Sequence, residues 1–178
     1  MRDRRLAGLL FTAAGAALDG AMRSTVSVGV GAVSFEELLA VARHDAGVEL
    51  APGAIAAIER SRHVVEQLAA GVTGVYGIST GFGALATRHI PDELRARLQR
   101  SLVRSHAAGS GEEVEREVVR ALMLLRLSTL ATGHTGIRAE TAQLLAALLT
   151  HGITPVVREY GSLGCSATSH RWRTARSR

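Results

Sequence analysis

The sequence has no lysine: all 21 of its basic residues are arginine. Against 16 acids they leave a formal net charge of +5 and a pI near 10.8. Such a balance would ordinarily point to nucleic acid or an anionic surface. The distribution points elsewhere. Residues 1–26 hold four Arg and two Asp, and residues 167–178 hold four Arg and no acid. The stretch between them carries thirteen Arg against fourteen acids, a net charge of −1, so the basicity sits at the two ends. Aromatic residues are only 3% of the chain, too few for a base-stacking surface, and no nucleic-acid partner is expected. A single cysteine excludes an internal disulfide and fits a reducing compartment. No apolar run reaches the ~18–20 residues of a membrane span, so no membrane partner is expected either. The histidines show no metal-ligand spacing, and no metal site is predicted. At 178 residues the chain is long enough for one domain with a core, burying about 70% of its unfolded surface.

What is present reads as mostly α, with short extended pieces and one Gly-rich loop. Val26 to Val30 alternates apolar and small residues, the pattern of a short strand. Ser34-Phe35-Glu36-Glu37 is a capping box opening a helix that runs to about His44. Val48-Glu49-Leu50 is extended, and Pro52 stands in the first turn of the next helix, where its missing N–H does no harm. Ile55, Ile58, Val65 and Leu68 give that helix an apolar stripe. Gly71 to Gly83 holds five glycines in thirteen residues and no helical period, so it is a loop that something must hold. Asp92 and Glu93 favour a helix start there, and the helix runs to about Ala107. Ser110-Gly111-Glu112-Glu113 reads as a second capping box, starting a long helix with Val114, Val118, Leu122 and Leu125 on its apolar side. A last helix spans Arg138 to about Thr150, and an extended run follows at 153–157.

Three short runs carry chemistry. Tyr160-Gly161-Ser162-Leu163-Gly164-Cys165-Ser166 is small and bendable, and reads either as a nucleophile turn or as an ordinary Gly/Ser loop. Tyr76-Gly77-Ile78-Ser79-Thr80-Gly81-Phe82-Gly83 places one tyrosine in the Gly-rich loop, a catalytic phenol or a packed aromatic. Arg104-Ser105-His106-Ala107-Ala108-Gly109 closes the helix before the second capping box. In this order, YGISTGFG, SHAAG and GSLGCS resemble the aromatic amino acid ammonia-lyases, which carry YGxxTGFG, SHAAG and GSxxxSGDLAPLxH. The resemblance covers roughly Val26 to Ser166 and is closest to the histidine-specific members.

The resemblance implies an all-helical, aspartase/fumarase-like fold, of which this is the N-terminal part, and a cytoplasmic homotetramer. It implies a carbon–nitrogen lyase of histidine catabolism, converting L-histidine to trans-urocanate and ammonia. The alternatives are a tyrosine or phenylalanine ammonia-lyase or aminomutase, or a non-catalytic helical module that co-assembles with lyase subunits. The implied cofactor is methylidene-imidazolone, formed from the backbone at Cys165-Ser166-Ala167. Cys165 and Ser166 match its first two positions, while Ala167 stands where the family has Gly, the residue of least steric cost in a compressed backbone. Tyr76 matches the family's catalytic base. A phenol titrates near ~10 unperturbed, so that role requires its pKa to be drawn down. Ser105 and His106 occupy the substrate-sorting position, and Ser-His matches the histidine-specific pair. Gly81, Phe82 and Gly83 are expected to shape the Tyr76 loop.

The two ends read differently from the body 26–166. Residues 1–25 are an extension: Arg2, Arg4 and Arg5 precede the apolar run Leu6–Leu18, as in an export signal. That run is Ala-rich and interrupted by Gly and Thr, which favours a start assigned too early, with the true beginning near Met22. Residues 167–178 have no apolar period and no acid. Written in GC-rich codons with one G restored in front, the same bases read Gly-Asp-Leu-Ala-Pro-Leu-Ala-His, the family's continuation. A shifted reading frame after Ser166, truncating the enzyme, is the expectation for this tail.

Overall fold

The computed structural model describes residues 24–107 and 109–161. The N-terminal extension, Ala108, and the run 162–178 with Cys165, Ser166 and Ala167 lie outside the described residues.

The first unit is βαβ. Strand β1 (Thr25–Val28) pairs in parallel with β2 (Gly47–Leu50), Val26 opposite Val48 and Val28 opposite Leu50. Val26 and Val28 are buried and Thr25 and Ser27 are exposed, the alternation read in the sequence. Helix α1 (Phe35–Arg43) crosses between them. Its capping box forms as expected: the Glu37 N–H donates to Ser34 Oγ at 3.2 Å, and the Ser34 N–H donates to Glu37 Oε2 at 2.8 Å. The two-stranded ribbon leaves the β2 edge open, and a helix closes it. Thr150 Oγ1, at the end of the helix Ala139–Thr150, accepts from the Val48 N–H and donates to the Val48 carbonyl, both at 2.9 Å. One hydroxyl thus does for β2 what another strand would do. Thr150→Val keeps the shape and removes both bonds, and is expected to destabilise the chain by about 1–3 kcal/mol, read as a lower denaturant midpoint at unchanged slope.

Helix α2 (Pro52–Ala70) has Pro52 in its first turn and buries Ala54, Ala57 and Ile58. Of its expected stripe only Ile58 is fully buried, and Leu68 is exposed. Helix α3 (Asp92–His106) begins with its two acids and buries none of its side chains. Helices α4 (Arg116–Ala131) and α5 (Ala139–Thr150) form the centre: Val119, Met123, Leu124 and Leu127 of α4 pack with Ala142, Ala146 and Leu149 of α5, and with Val28, Val41 and Ile58.

Two expectations are corrected here. Ser110-Gly111-Glu112-Glu113 caps no helix; it is strand β3 (Ser110–Glu113), antiparallel to β4 (Arg158–Tyr160), with Ser110 opposite Tyr160 and Glu113 opposite Arg158. The ladder is irregular between those pairs, where Gly111 takes φ +82°. A Cβ there would lie 2.6 Å from the Tyr160 ring, so a bulge with a left-handed glycine wins over the cap. Helix α4 therefore starts at Arg116. Its buried face is also not the predicted one: Val118 and Leu125 are exposed, and the core stripe runs one residue further on, through Val119, Arg120 and Met123.

Arg120 is the largest fully buried side chain among the described residues. Its Nε donates to the Val41 carbonyl at 2.9 Å and its Nη1 to the Leu149 carbonyl at 3.1 Å, joining the ends of α1 and α5. Nε also lies 3.1 Å from Asp45 Oδ1, and Arg116 Nη2 reaches the same oxygen at 2.8 Å. Asp45 is the one non-glycine residue among those described with positive φ, at 53°. That turn at the end of α1 aims its carboxylate at both guanidinium groups.

Candidate active site

Tyr76 sits in the loop between α2 and α3, on a turn spanning 76–79. Its ring is 61% exposed and meets Phe82 edge-on, with centroids 5.9 Å apart and planes at 85°. The tyrosine is presented on the surface of this chain while the loop beneath it is buried: Ser79 and Thr80 are at 0% and 5% exposure. Ser79 Oγ accepts from the Val75 N–H at 2.9 Å and donates to the Thr73 carbonyl at 3.2 Å. Thr80 Oγ1 accepts from the Gly77 N–H at 3.3 Å and lies 3.2 Å from the Gly81 carbonyl. The chain then returns alongside itself. The Gly81 N–H donates to the Arg88 carbonyl at 3.2 Å, and the Ile90 N–H to the Ser79 carbonyl at 2.9 Å. Gly81 is buried where a Cβ would stand 2.5 Å from Leu85 Cβ, closer than side chains approach, so the turn through Phe82 into the 3₁₀ turn Gly83–Leu85 has no room for a larger residue. Ser79 and Thr80 were not singled out in the sequence. The available signal was a Ser-Thr pair within a glycine-rich run, where hydroxyls commonly serve the backbone.

Ser105 and His106 form the last turn of α3. Ser105 Oγ lies 3.0 Å from the Leu102 carbonyl and 2.8 Å from His106 Nδ1, which is itself 2.9 Å from that carbonyl. The hydroxyl and the ring therefore share one helix-end acceptor, which fixes the imidazole plane while the ring stays half-buried.

The β3–β4 ribbon links this helix end to the third motif. Ser110, four residues after His106, pairs with Tyr160, five residues before Cys165. The Tyr160 ring packs over Gly111, and Arg158 Nη1 donates to the Gly111 carbonyl at 2.8 Å. The Val114 N–H extends the ribbon to the Val157 carbonyl at 2.9 Å. The strand that precedes the third motif is thus paired with the strand that follows SHAAG. Of the predicted site residues, Tyr76 and Phe82 touch, Ser105 and His106 touch, Gly81 and Gly83 bound the turn between loop and 3₁₀ helix, and Cys165 and Ser166 lie outside the described residues.

Residues 33–168 match the family model described as aromatic amino acid lyase, and the chain belongs to that family, whose members are carbon–nitrogen lyases. The family uses a methylidene-imidazolone cofactor. Among its relatives, the histidine ammonia-lyase of Streptomyces griseus is 63% identical over 142 residues, which are 80% of this chain and 28% of that protein. The chain thus spans little more than a quarter of the length of the curated relatives it matches. Among solved structures, tyrosine aminomutase from Streptomyces globisporus overlays with a TM-score of 0.76 at 35% identity, and histidine ammonia-lyase from Trypanosoma cruzi with 0.73 at 32%; each match covers 83% of this chain and 28% of the other.

Proposed function

We propose that residues 26–166 are the N-terminal part of a histidine ammonia-lyase, a cytoplasmic homotetramer that converts L-histidine to trans-urocanate and ammonia. The observation that supports this most is the β3–β4 ribbon, in which Ser110, four residues after His106, pairs with Tyr160, five residues before Cys165. In this reading Ser105 and His106 bind substrate. A neutral imidazole carries one donor and one acceptor nitrogen, which suits recognition of a second imidazole better than of a phenyl ring. Tyr76 takes the proton from the substrate β-carbon, and the buried Ser79 and Thr80 keep its loop in one conformation. Gly81, Phe82 and Gly83 shape that loop.

Methylidene-imidazolone would supply an electrophilic carbon. Cys165 and Ser166 fit its first two positions. Ala167 does not fit the third, because its Cβ adds bulk at the nitrogen that must close the ring, and no step is assigned through the group in this chain. The out-of-frame origin of residues 167–178 belongs to the same proposal, and the DNA across codons 160–178 decides it.

A tyrosine- or phenylalanine-specific lyase or aminomutase is the second reading, supported by the overlay with tyrosine aminomutase and opposed by Ser105-His106. A co-assembling helical module is the third, favoured by the exposed Leu94, Val118, Leu125 and Leu144. Ultraviolet assay separates them. The chain carrying Ala167 is expected to show neither methylidene absorbance nor urocanate formation from L-histidine, and the lyase continuation after Ser166 to confer both. A continued chain that acts on tyrosine and not on histidine would establish the second reading.

A further inference from the structure

The loop that presents Tyr76 is long, running from the end of α2 at Ala70 to the start of α3 at Asp92. Its interior is held by Ser79 and Thr80, but those bonds leave its base unfixed. Arg95, in the first turns of α3, reaches both sides of that base. Its Nε donates to the Ile90 carbonyl at 3.1 Å, on the returning limb of the loop. Its Nη1 donates to the Ala69 carbonyl at 3.3 Å, in the last turn of α2 where no helical N–H follows to satisfy it. Its Nη2 lies 2.8 Å from Asp92 Oδ1, which holds the guanidinium in place; the Arg95 side chain is 22% exposed. A planar fork with donors in fixed directions can serve these three acceptors at once, and an ammonium on a flexible stem is poorly suited to do so. From Arg95 the connection runs on through two further hydrogen bonds. Ile90 donates its N–H to the Ser79 carbonyl, and Ser79 Oγ accepts from the N–H of Val75, the residue before Tyr76.

We propose that Arg95 is a positioning residue: it closes the base of the loop and thereby sets where Tyr76 stands. This rests on the reading of Tyr76 as the proton acceptor, and the test separates the two. Native-state hydrogen exchange is measured on the 178-residue chain and on Arg95→Met and Arg95→Lys, which keep the aliphatic stem. In Arg95→Met the amides of Val75, Gly81 and Ile90 are expected to exchange at least about tenfold faster while the α4 amides stay as they were, with Arg95→Lys between the two. Loop amides that do not change, or α4 amides that accelerate by the same factor, would overturn the clamp. In the assembled enzyme, Arg95→Met is expected to lower kcat about tenfold or more with little change in KM, and Arg95→Lys to recover part of it. A loosened loop with undiminished kcat would overturn the positioning role. A parent enzyme that forms no urocanate would count against the proposed function, and the exchange result alone would then decide the clamp.

Discussion

Arg120→Ala is expected to destabilise the chain by about 3–5 kcal/mol, a large part of the 5–15 kcal/mol that holds a domain together, and Asp45→Asn, whose carboxylate is 38% exposed, by about 1–2 kcal/mol. The two act differently. Arg120→Ala removes charged donors from the Val41 and Leu149 carbonyls and empties the largest buried side-chain volume in the core. Asp45→Asn keeps a residue that tolerates φ +53° and removes only the carboxylate that faces the buried guanidinium at 3.1 Å. Equal losses would place the effect in the ion pair; a smaller loss in Asp45→Asn would place it in the carbonyl bonds and the cavity. Denaturant midpoints at constant slope give both values, and the melting temperature should fall by about 10 °C in Arg120→Ala and by about 5 °C in Asp45→Asn. Arg116→Met serves as the control. Arg116 shares the Asp45 carboxylate but is half-exposed, so its loss should cost about 1 kcal/mol or less.

On its proposed role, Tyr76→Phe should reduce urocanate formation by about 10²–10⁴-fold in the assembled enzyme, the usual contribution of a positioned proton acceptor. The substitution is clean in structural terms. The edge-on contact with Phe82 belongs to the ring and survives, and the buried bonds of Ser79 and Thr80 do not involve the phenol oxygen. Loop exchange should therefore match the parent. A kcat within threefold of the parent, with the loop intact, would remove Tyr76 from the chemistry.

Much of this fold was readable where local chemistry is unambiguous. The Ser34–Glu37 capping box, the alternation of Val26 and Val28, the helix start at Asp92 and the end of α5 near Thr150 each follow from a few adjacent residues, and each stands as read. The misreadings arose where a distant partner decides. Ser110-Gly111-Glu112-Glu113 has the spacing of a cap, but Gly111 is needed for the approach of Tyr160, some fifty residues on in the chain. Helix α4 is apolar on nearly every side, so two adjacent stripes compete. An arginine at position 120 argued against the true one, because the Asp45 turn that makes its burial tolerable is invisible in the helix's own sequence. The three motifs marked the family and the segments of the site. They did not reveal Ser79, Thr80 or Arg95, whose roles depend on backbone carbonyls and amides that side-chain motifs leave out.

The most direct test joins residues 26–166 of this chain to the part of the Streptomyces griseus relative that follows the position aligned with Ser166, and assays the product with L-histidine, L-tyrosine and L-phenylalanine. The proposed function predicts methylidene absorbance and formation of urocanate from histidine, with no comparable turnover of the other two. A folded chimera that forms no urocanate under conditions where the intact relative does, or one that turns over tyrosine in preference to histidine, would contradict it.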